Sequence, residues 1–511
     1  MTRLRALPLA LALLALAPGP RAAAAQDAQL TVTSRPATGG NPPAFRTIRE
    51  ADLRRELATM ASDTFRGREA GTLDELRASA WLAERARAAG LQPAGDDGSW
   101  FQFWPMRRVR VANTSRIEVG GRALPLWREA TLVSPTDATV DAPVVWVGTA
   151  DSAALAAMDL RGKAVAAMVT PPRVLPPRWV SLREWRYTWG ALRERAALIQ
   201  ARGAAAVLLV SDSISNAQFD ILSSYNNRGT YGLDSAGVEA PRPSRAPVIW
   251  LRAGMQGAMR QPGQRLLARI TTESFIYPSV NVVAKVPGTD DSLRGEYVLY
   301  SGHQDHDGVR FPISGDSIWN GADDNATISV AMLAIGRAFV RHPGRRTALF
   351  VWHGAEERGL IGSRWYSAHP TVPKEAIVAV LNADMIGRNA PDSAALLGVE
   401  PPHRNSRALV DMALEANRRF TSFALDTTWD RPAHPEGWYF RSDHLPYARA
   451  GIPAIMFTTL LHPDYHTPRD EAERIDYAKL TRMTRWMYAT GWMVANTVER
   501  PAVDPDFKLE R

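Results

Sequence analysis

The pattern of apolar and polar residues changes along the chain. Two early segments, Ile48–Met60 and Leu73–Ala89, place apolar residues at helical spacing, and Gly90 is placed to end the second helix. Short apolar runs then follow, separated by Asp, Gly and Pro, with one helical segment among them. The runs are Ala142–Val147, Ala164–Val169, Ala205–Val210 and Val248–Leu251, and the helical segment is Ala191–Ala201. They predict a compact α/β unit between about residues 113 and 272.

Beyond residue 272, strand-length apolar runs alternate with helical patterns. The predicted strands are Tyr297–Tyr300, Ala348–Trp352, Ile377–Leu381 and Ala454–Phe457, and the clearest predicted helices are Ala326–Phe339 and Arg407–Arg418. Strands that alternate with helices indicate a largely parallel or mixed sheet covered on both faces.

The start of the chain predicts export. Arg3 and Arg5 precede an apolar stretch, Leu7–Ala17, and small residues follow at Ala22–Ala25. This order is typical of a secretory signal peptide, here residues 1–25, and a short membrane anchor is the alternative. Residues 26–44 read as a flexible leader. Because no later stretch of about 18 apolar residues occurs, we expect a soluble protein, periplasmic or extracellular, without stable membrane insertion.

Composition removes several classes of function. The 511 residues include no cysteine, which excludes disulfide scaffolds, thiolate metal sites and cysteine nucleophiles. The formal net charge is +8, but only five of the 61 basic residues are lysines and the arginines are scattered. No basic run resembles a phosphate-binding surface, so we expect no nucleic-acid partner. No pattern specifies an oligomeric state.

The candidate chemistry is confined to the last third of the chain, where all ten histidines lie between His303 and His466. Histidines and acids follow the predicted strands there: His303, Asp305, Glu356, Glu357, Asp384 and His466, with Asp323 and Asp324 just before a helix. In an open α/β sheet, ligands bind beyond the carboxyl ends of the strands. These side chains should therefore converge on one rim of the sheet.

The residue types favour two divalent metal ions. Imidazoles and carboxylates without thiolates suit Zn²⁺, Co²⁺ or Mn²⁺ in catalytic sites. Two histidines and three carboxylates can hold a pair of ions about 3.5–4 Å apart if one carboxylate bridges them. A further carboxylate beside the ligands could then act as a general base.

Five motifs, in order, resemble those of the co-catalytic zinc exopeptidases, the bacterial leucyl-aminopeptidase and glutamate-carboxypeptidase-like enzymes. They are S-G-H-Q-D-H (Ser301–His306), G-A-D-D-N-A-T (Gly321–Thr327), G-A-E-E-R-G-L-I-G-S (Gly354–Ser363), N-A-D-M-I-G (Asn382–Gly387) and Y-H-T-P-R-D (Tyr465–Asp470). The middle region resembles a protease-associated domain, through Asp159–Val165 and Gly203–Val210.

The resemblance implies a fold and a domain order. The fold would be a three-layer α/β/α zinc-exopeptidase fold with a mixed sheet, interrupted by a smaller, β-rich, protease-associated domain. Residues 45–112 would form the first part of the peptidase domain, 113–272 the insert, and 273–500 the second part with the metal site. Residues 501–511 would be a C-terminal tail.

The resemblance also assigns roles, and it implies two divalent ions, expected to be Zn²⁺. His303 and Asp384 would hold one ion, and Glu357 and His466 the other. Asp323 would bridge the two ions and would be followed by a cis peptide bond. Glu356 would be the general base, and the Asp305 carboxylate would orient His303. By spacing, Asp470 could do the same for His466.

The implied function is a secreted exopeptidase, with an aminopeptidase acting on N-terminal peptide bonds as the first choice. The attacking water would lie between the two ions. A carboxypeptidase or dipeptidase and a glutaminyl-peptide cyclase on the same scaffold remain alternatives, as does a metal-loaded binding protein without turnover. Four nearby aromatic side chains could either line a side-chain pocket or pack in the core, namely Trp438, Tyr439, Phe440 and Tyr465. Arg441 could either pair with a substrate carboxylate, as a carboxypeptidase would need, or lie on the surface.

Overall fold

The computed structural model describes residues 41–178, 180, 182–233 and 246–509. The predicted signal peptide, and the leader up to residue 40, lie outside the described residues. In the part of the chain that is described, no helix is both long enough and apolar enough to cross a membrane.

The described residues form eleven α-helices and twenty strands. The helices are α1 Glu50–Met60, α2 Leu73–Ala88, α3 Ser152–Ala156, α4 Arg183–Gln200, α5 Ser213–Arg228, α6 Gln256–Arg260, α7 Thr327–Arg341, α8 Ile361–Ala368, α9 Arg407–Ala416, α10 His444–Arg449 and α11 Tyr477–Asn496. The strands are β1 Gln92–Pro93, β2 Phe101–Val111, β3 Arg116–Val119, β4 Arg122–Ala123, β5 Ala130–Leu132, β6 Ala138–Gly148, β7 Ala164–Met168, β8 Ala206–Val210, β9 Thr230–Leu233, β10 Val248–Leu251, β11 Arg265–Ile270, β12 Thr272–Val286, β13 Tyr297–His303, β14 Gly308–Ile313, β15 Asp316–Trp319, β16 Thr347–His353, β17 Ile377–Ala383, β18 Ser393–Leu397, β19 Ala424–Leu425 and β20 Ala454–Thr458.

The first sheet has ten strands, nine of them in the order β19-β18-β20-β17-β13-β16-β12-β2-β9, with β1 paired to β12. Its four central strands, β20, β17, β13 and β16, are parallel. The flanking strands β12 and β2 run antiparallel to their neighbours, as does β18 against β20. The mixed sheet predicted from the sequence is confirmed.

Both faces of the first sheet are covered by helices. Alternate strand residues point to opposite sides, so Val298 and Tyr300 pack with α1, α2, α7 and α11, whereas Leu299 packs with Tyr366 of α8 and Tyr447 of α10. The central strands are apolar and buried along their length for this reason. The three-layer α/β/α class is therefore confirmed.

The second sheet is built from strands of the middle region, in the order β4-β3-β11-β6-β7-β8-β10-β5. Here too the centre is parallel, through β6, β7, β8 and β10. Helices α4 and α5 pack on one face. The middle region is nevertheless not self-contained. Its strand β9 belongs to the first sheet, where it pairs with β2.

Most predicted elements agree with the structure to within a few residues. The largest difference is α4, which begins at Arg183, eight residues before the predicted start at Ala191. Its first two turns contain Trp185, Tyr187 and Trp189, and these aromatic side chains pack against the core of the second sheet. A dense aromatic run hides the helical spacing in the sequence, although tertiary packing stabilises the helix.

Candidate metal centre

Four adjacent parallel strands deliver the candidate ligands to one rim of the first sheet. His303 is the last residue of β13, and Asp384 directly follows β17. Glu356 and Glu357 lie in the short helical turn after β16, and His466 lies in the loop after β20. The convergence expected from the sequence is present.

The candidate ligands form two groups, and in each group one possible ligand atom per residue lies within 4.8 Å of the others. The first, called here the His303 group, contains His303, Glu356 and Asp384. His303 Nε2 lies 3.6 Å from Asp384 Oδ1 and 3.9 Å from Glu356 Oε2.

The second, called the His306 group, contains His306, Asp324, Glu357 and His466. Its side chains make closer contacts than those of the His303 group. His306 Nδ1 is 2.8 Å from Glu357 Oε1, and His466 Nε2 is 3.2 Å from Glu357 Oε2.

Asp324 joins the two groups. Its Oδ1 lies 3.2 Å from His303 Nε2 and its Oδ2 lies 3.1 Å from His466 Nε2, so one carboxylate faces both sets of ligands. Asp324 is therefore placed for the bridging role.

The prediction that Asp323 bridges is wrong. Asp323 Oδ1 accepts a hydrogen bond from the Gly387 amide at 2.7 Å, and Oδ2 lies 3.4 Å from His462 Nε2. Adjacent side chains in this turn point to different sides, so Asp323 belongs to neither ligand group. The cis peptide bond likewise lies one residue later than predicted, between Asp324 and Asn325.

Two predicted supporting contacts are also corrected. The Asp305 carboxylate makes no hydrogen bond to His303 among the described residues, although Oδ1 lies 3.7 Å from His303 Nδ1. It accepts the amides of Glu356 at 3.0 Å and Glu357 at 3.4 Å, and His303 Nδ1 lies closer, at 3.1 Å, to the Asp305 carbonyl oxygen. Asp305 thus holds the glutamate-bearing turn. Asp470 does not reach His466, because its carboxylate accepts the amides of Asp323 and Asp324 at 3.0–3.1 Å.

The two neighbouring glutamates differ in their electrostatics. Burial, reinforced by the charges of Glu357, Asp384 and Asp443, raises the pKa of Glu356 well above its ordinary value, although His303 opposes this. Burial also opposes the ionisation of Glu357, but His466 and His306 hold its pKa well below the ordinary value. Environments that push two carboxyl pKa values apart are typical of sites that divide ligand and proton-transfer roles.

The middle region of the chain contacts this centre through α5. Tyr225 donates a hydrogen bond to Asp307 Oδ2 at 2.7 Å, and Arg228 donates to the Asp307 carbonyl at 3.0 Å. Asp307 Oδ2 in turn lies 3.6 Å from His466 Nδ1. Asp307, and not Asp470, is thus the acid that faces His466 Nδ1, whereas Nε2 of the same ring faces Glu357.

The aromatic residues near the motifs pack mostly in the core. Trp438, Tyr439 and Tyr465 are buried in one apolar cluster, against which Phe440 is partly buried. Arg441 donates to Glu436 at 2.8 Å and to the Tyr465 hydroxyl at 2.9 Å. The Arg441 guanidinium is thus engaged within the protein.

Unsatisfied polar atoms show that the two groups suit metal ions. His303 Nε2, both ring nitrogens of His306, His466 Nε2 and Glu357 Oε1 are buried and, within the described residues, have no hydrogen-bond partner. Buried imidazole and carboxylate atoms of this kind require compensation, and a divalent cation provides it. The donor set, with nitrogen and carboxylate oxygen and no sulfur, fits Zn²⁺.

Sequence reasoning missed two members of these groups. Asp324 stands beside the chosen residue in the A-D-D-N run, and a spacing argument cannot tell which of two adjacent acids turns inward. His306 ends the first motif, S-G-H-Q-D-H, and its signal was a third chemically competent side chain three residues after His303.

Part of the chain is similar to a known family of peptidases. Residues 281–491 match the family model described as Peptidase family M28. A probable leucine aminopeptidase of Trichophyton verrucosum is 26% identical over 287 residues, which cover 54% of this chain and 71% of that protein.

Two solved structures are similar in fold. The zinc aminopeptidase from Bacillus subtilis superposes with a TM-score of 0.57 at 18% identity, covering 90% of this chain and 99% of that one. The aminopeptidase from Aneurinibacillus sp. strain AM-1 gives a TM-score of 0.56 at 18% identity, covering 90% and 97%.

Proposed function

Because residues 281–491 match the model of peptidase family M28, we propose that this chain is a member of that family and an exported two-zinc aminopeptidase that removes N-terminal residues from peptides. The observation that carries the proposal is the pair of ligand groups at the strand ends, joined by the single carboxylate of Asp324. A mononuclear site would not need both groups, which weighs against the cyclase alternative.

In this proposal His303 and Asp384 hold one ion, Glu357 and His466 hold the other, and Asp324 contacts both. When bound, the two ions activate a water molecule and polarise the scissile carbonyl. The chain contributes the spacing of the ligands through the parallel strands, and it holds the Glu356–Glu357 turn in place through the Asp305 carboxylate.

Glu356 is the proposed general base. Its Oε2 faces His303 at 3.9 Å, whereas the carboxylate of Glu357 faces the opposite group. The buried Glu356 carboxylate would accept a proton from the attacking water at Oε2 and deliver it to the leaving amine. Its surroundings favour holding that proton between the two transfers.

The choice of an aminopeptidase rests on the relatives. Those cited above are called aminopeptidases, and the substrate would be a peptide with a free N-terminal amine. Against a carboxypeptidase, Arg441, which could have bound a substrate carboxylate, is held by Glu436 and Tyr465.

Export and domain order form part of the same proposal. Export rests on the signal-peptide pattern of residues 1–25. A protease-associated insert at 113–272 is supported by the second sheet, whose strands all lie between Arg116 and Ile270.

The first experiment is the hydrolysis of aminoacyl chromogenic substrates by protein that begins after residue 25. The panel is run untreated, after chelation, and after Zn²⁺ is restored. We expect chelation to abolish release of the chromophore and Zn²⁺ to restore it, with the ranking of substrates describing the side-chain pocket. If zinc-loaded protein hydrolyses no substrate of the panel, the proposed aminopeptidase activity is contradicted, and carboxypeptidase, dipeptidase or cyclase chemistry is favoured.

A further inference from the structure

His306 is a buried histidine that none of the proposed roles uses. Its side chain is fully buried, and among the described residues neither ring nitrogen makes a hydrogen bond of good geometry. Nδ1 approaches Glu357 Oε1 to 2.8 Å, and the ring stands edge-on to that of His466, with centroids 5.5 Å apart. His306 thus directs Nδ1 at the carboxylate of one candidate ligand and packs its ring against the imidazole of another.

The backbone holds His306 in place. Its amide donates to the Arg68 carbonyl at 3.3 Å, and residue 306 pairs with Glu69 in an isolated bridge. Gly321 lies against the ring: a Cβ at that position would be 2.3 Å from His306 Cγ, and the φ of Gly321 is 57°. A side chain packed this closely against the main chain cannot swing away without moving the turn that carries Asp324.

We propose that His306 is a fourth protein ligand of the ion held by Asp324, Glu357 and His466. This inference rests on the proposed function, because it assumes that the two groups bind metal. The two positions would then be unequal: one has four protein ligands, whereas the other has His303, Asp384 and the shared Asp324.

The inequality has a chemical consequence. A Zn²⁺ ion with four protein ligands is held more strongly than one with three, and it can still take a water molecule by expanding to five ligands. The ion of the His306 group would thus be retained strongly and would anchor Asp324 and Glu357. Binding of substrate groups would fall mainly to the ion of the His303 group, which has fewer protein ligands.

The test compares wild-type protein with His306→Ala and His306→Gln. Each protein is loaded with two equivalents of Zn²⁺, dialysed against increasing chelator, and analysed for metal content. We expect wild-type protein to lose one equivalent readily and to keep the second, whereas both variants lose the second at a chelator concentration at least tenfold lower. Loss of even an outer partner of a metal ligand costs about 10- to 100-fold in affinity.

Cobalt gives a readout that does not depend on activity. Metal-free protein is titrated with Co²⁺, and the visible absorption that reports coordination geometry is recorded. We expect the more tightly bound Co²⁺ of wild-type protein to give the intense bands of a tetrahedral site, and both variants to lose or shift them. His444→Gln is the matched control, since His444 is also fully buried but belongs to neither ligand group; its spectrum and metal retention should match the wild type.

Three results would overturn the inference. If the variants retain the second equivalent and its spectrum as the wild type does, His306 only orients Glu357. If metal-free variants unfold at a lower temperature than metal-free wild-type protein and His444→Gln does not, the loss of metal reflects folding. If wild-type protein binds no metal at all, the proposed function fails as well, which distinguishes that outcome from the first two.

Discussion

Both sheets of this protein contain four adjacent parallel strands, but the acidic residues that follow these strands have different partners in the two sheets. In the second sheet, Asp151 and Asp212 follow β6 and β8, and each accepts an amide hydrogen bond at 2.8 Å as the cap of a helix. In the first sheet the corresponding acids point at histidines and at one another.

The position of an acid after a parallel strand is therefore not enough to make it a metal ligand. Asp212 is satisfied locally, because Ser215 donates its amide and hydroxyl at 2.8 and 2.7 Å and Tyr187 donates its hydroxyl at 2.5 Å. Glu357 Oε1 has no such backbone or hydroxyl donors among the described residues; the ring nitrogen of His306 lies 2.8 Å away, without good hydrogen-bond geometry. A metal centre requires carboxylates whose local partners are missing.

The largest effect is expected when the carboxylate that faces both ligand groups is removed. Asp324→Ala should lose bound metal from both groups and reduce hydrolysis to background, because His303 and His466 both face this residue. Metal content and turnover measured on the same sample check the prediction. The neighbouring substitution Asp323→Asn is the control and should keep both ions; an active, metal-replete Asp324→Ala protein would refute the bridging role.

Glu356→Gln separates chemistry from metal binding. We expect both ions to remain while kcat falls about 100- to 10,000-fold, the range contributed by general acid–base catalysis. Steady-state kinetics and metal analysis together check this. A variant that retains wild-type kcat would remove Glu356 from the mechanism, and a variant that loses metal would make it a ligand.

Glu75, on α2, shows how the burial of a carboxyl group affects stability. It accepts Gly71 N at 2.6 Å and Ser279 Oγ at 2.7 Å, and burial, with the charge of Asp305, raises its pKa from 4.5 to about 8. Between those values the folded protein keeps a proton that the unfolded chain has lost. The contribution of the Glu75 carboxyl to the free energy of unfolding is therefore complete below about pH 4.5 and is lost as the pH rises towards 8.

Glu75→Gln should accordingly unfold at nearly the same denaturant concentration as wild-type protein near pH 4.5, and at a higher one near pH 8. Denaturant unfolding across this pH range measures the effect. Glu84→Gln, an exposed change on the same helix, should change the free energy of unfolding by a constant amount as the pH rises from about 5 to 8, because the pKa of Glu84 is lowered by Arg87. Parallel curves for Glu75→Gln as well would show that its carboxyl does not titrate in this window.

The smallest expected effect lies in the second sheet. Asp212→Ala removes the cap of α5 and should lower the free energy of unfolding by about 0.5–2 kcal/mol, the usual cost of losing an N-cap. Metal content and kcat should stay at wild-type levels, because Asp212 lies in neither ligand group. Loss of an ion from this variant would mean that the two sheets are not chemically distinct.

Particular residues show which features of the fold and of the candidate site could be predicted from the sequence. The central strands were predictable because strands buried on both faces appear as continuous apolar runs, as in Ala348–Trp352. His303, Glu357, Asp384 and His466 were predictable because the carboxyl ends of parallel strands meet at one rim. The start of α4 and the pairing of β9 with the first sheet were not, because both depend on contacts between distant segments.

The fold class and the proposed type of chemistry could be predicted from residue order alone, since both follow from periodicity and from which residues end each strand. The tertiary structure alone decided which of two adjacent acids faces the ligands, that Asp305 and Asp470 hold backbone amides, and that His306 joins the second group. These outcomes depend on backbone direction within turns and on packing across the chain. Residue order cannot specify that direction, because neighbouring side chains in a turn can point to opposite sides.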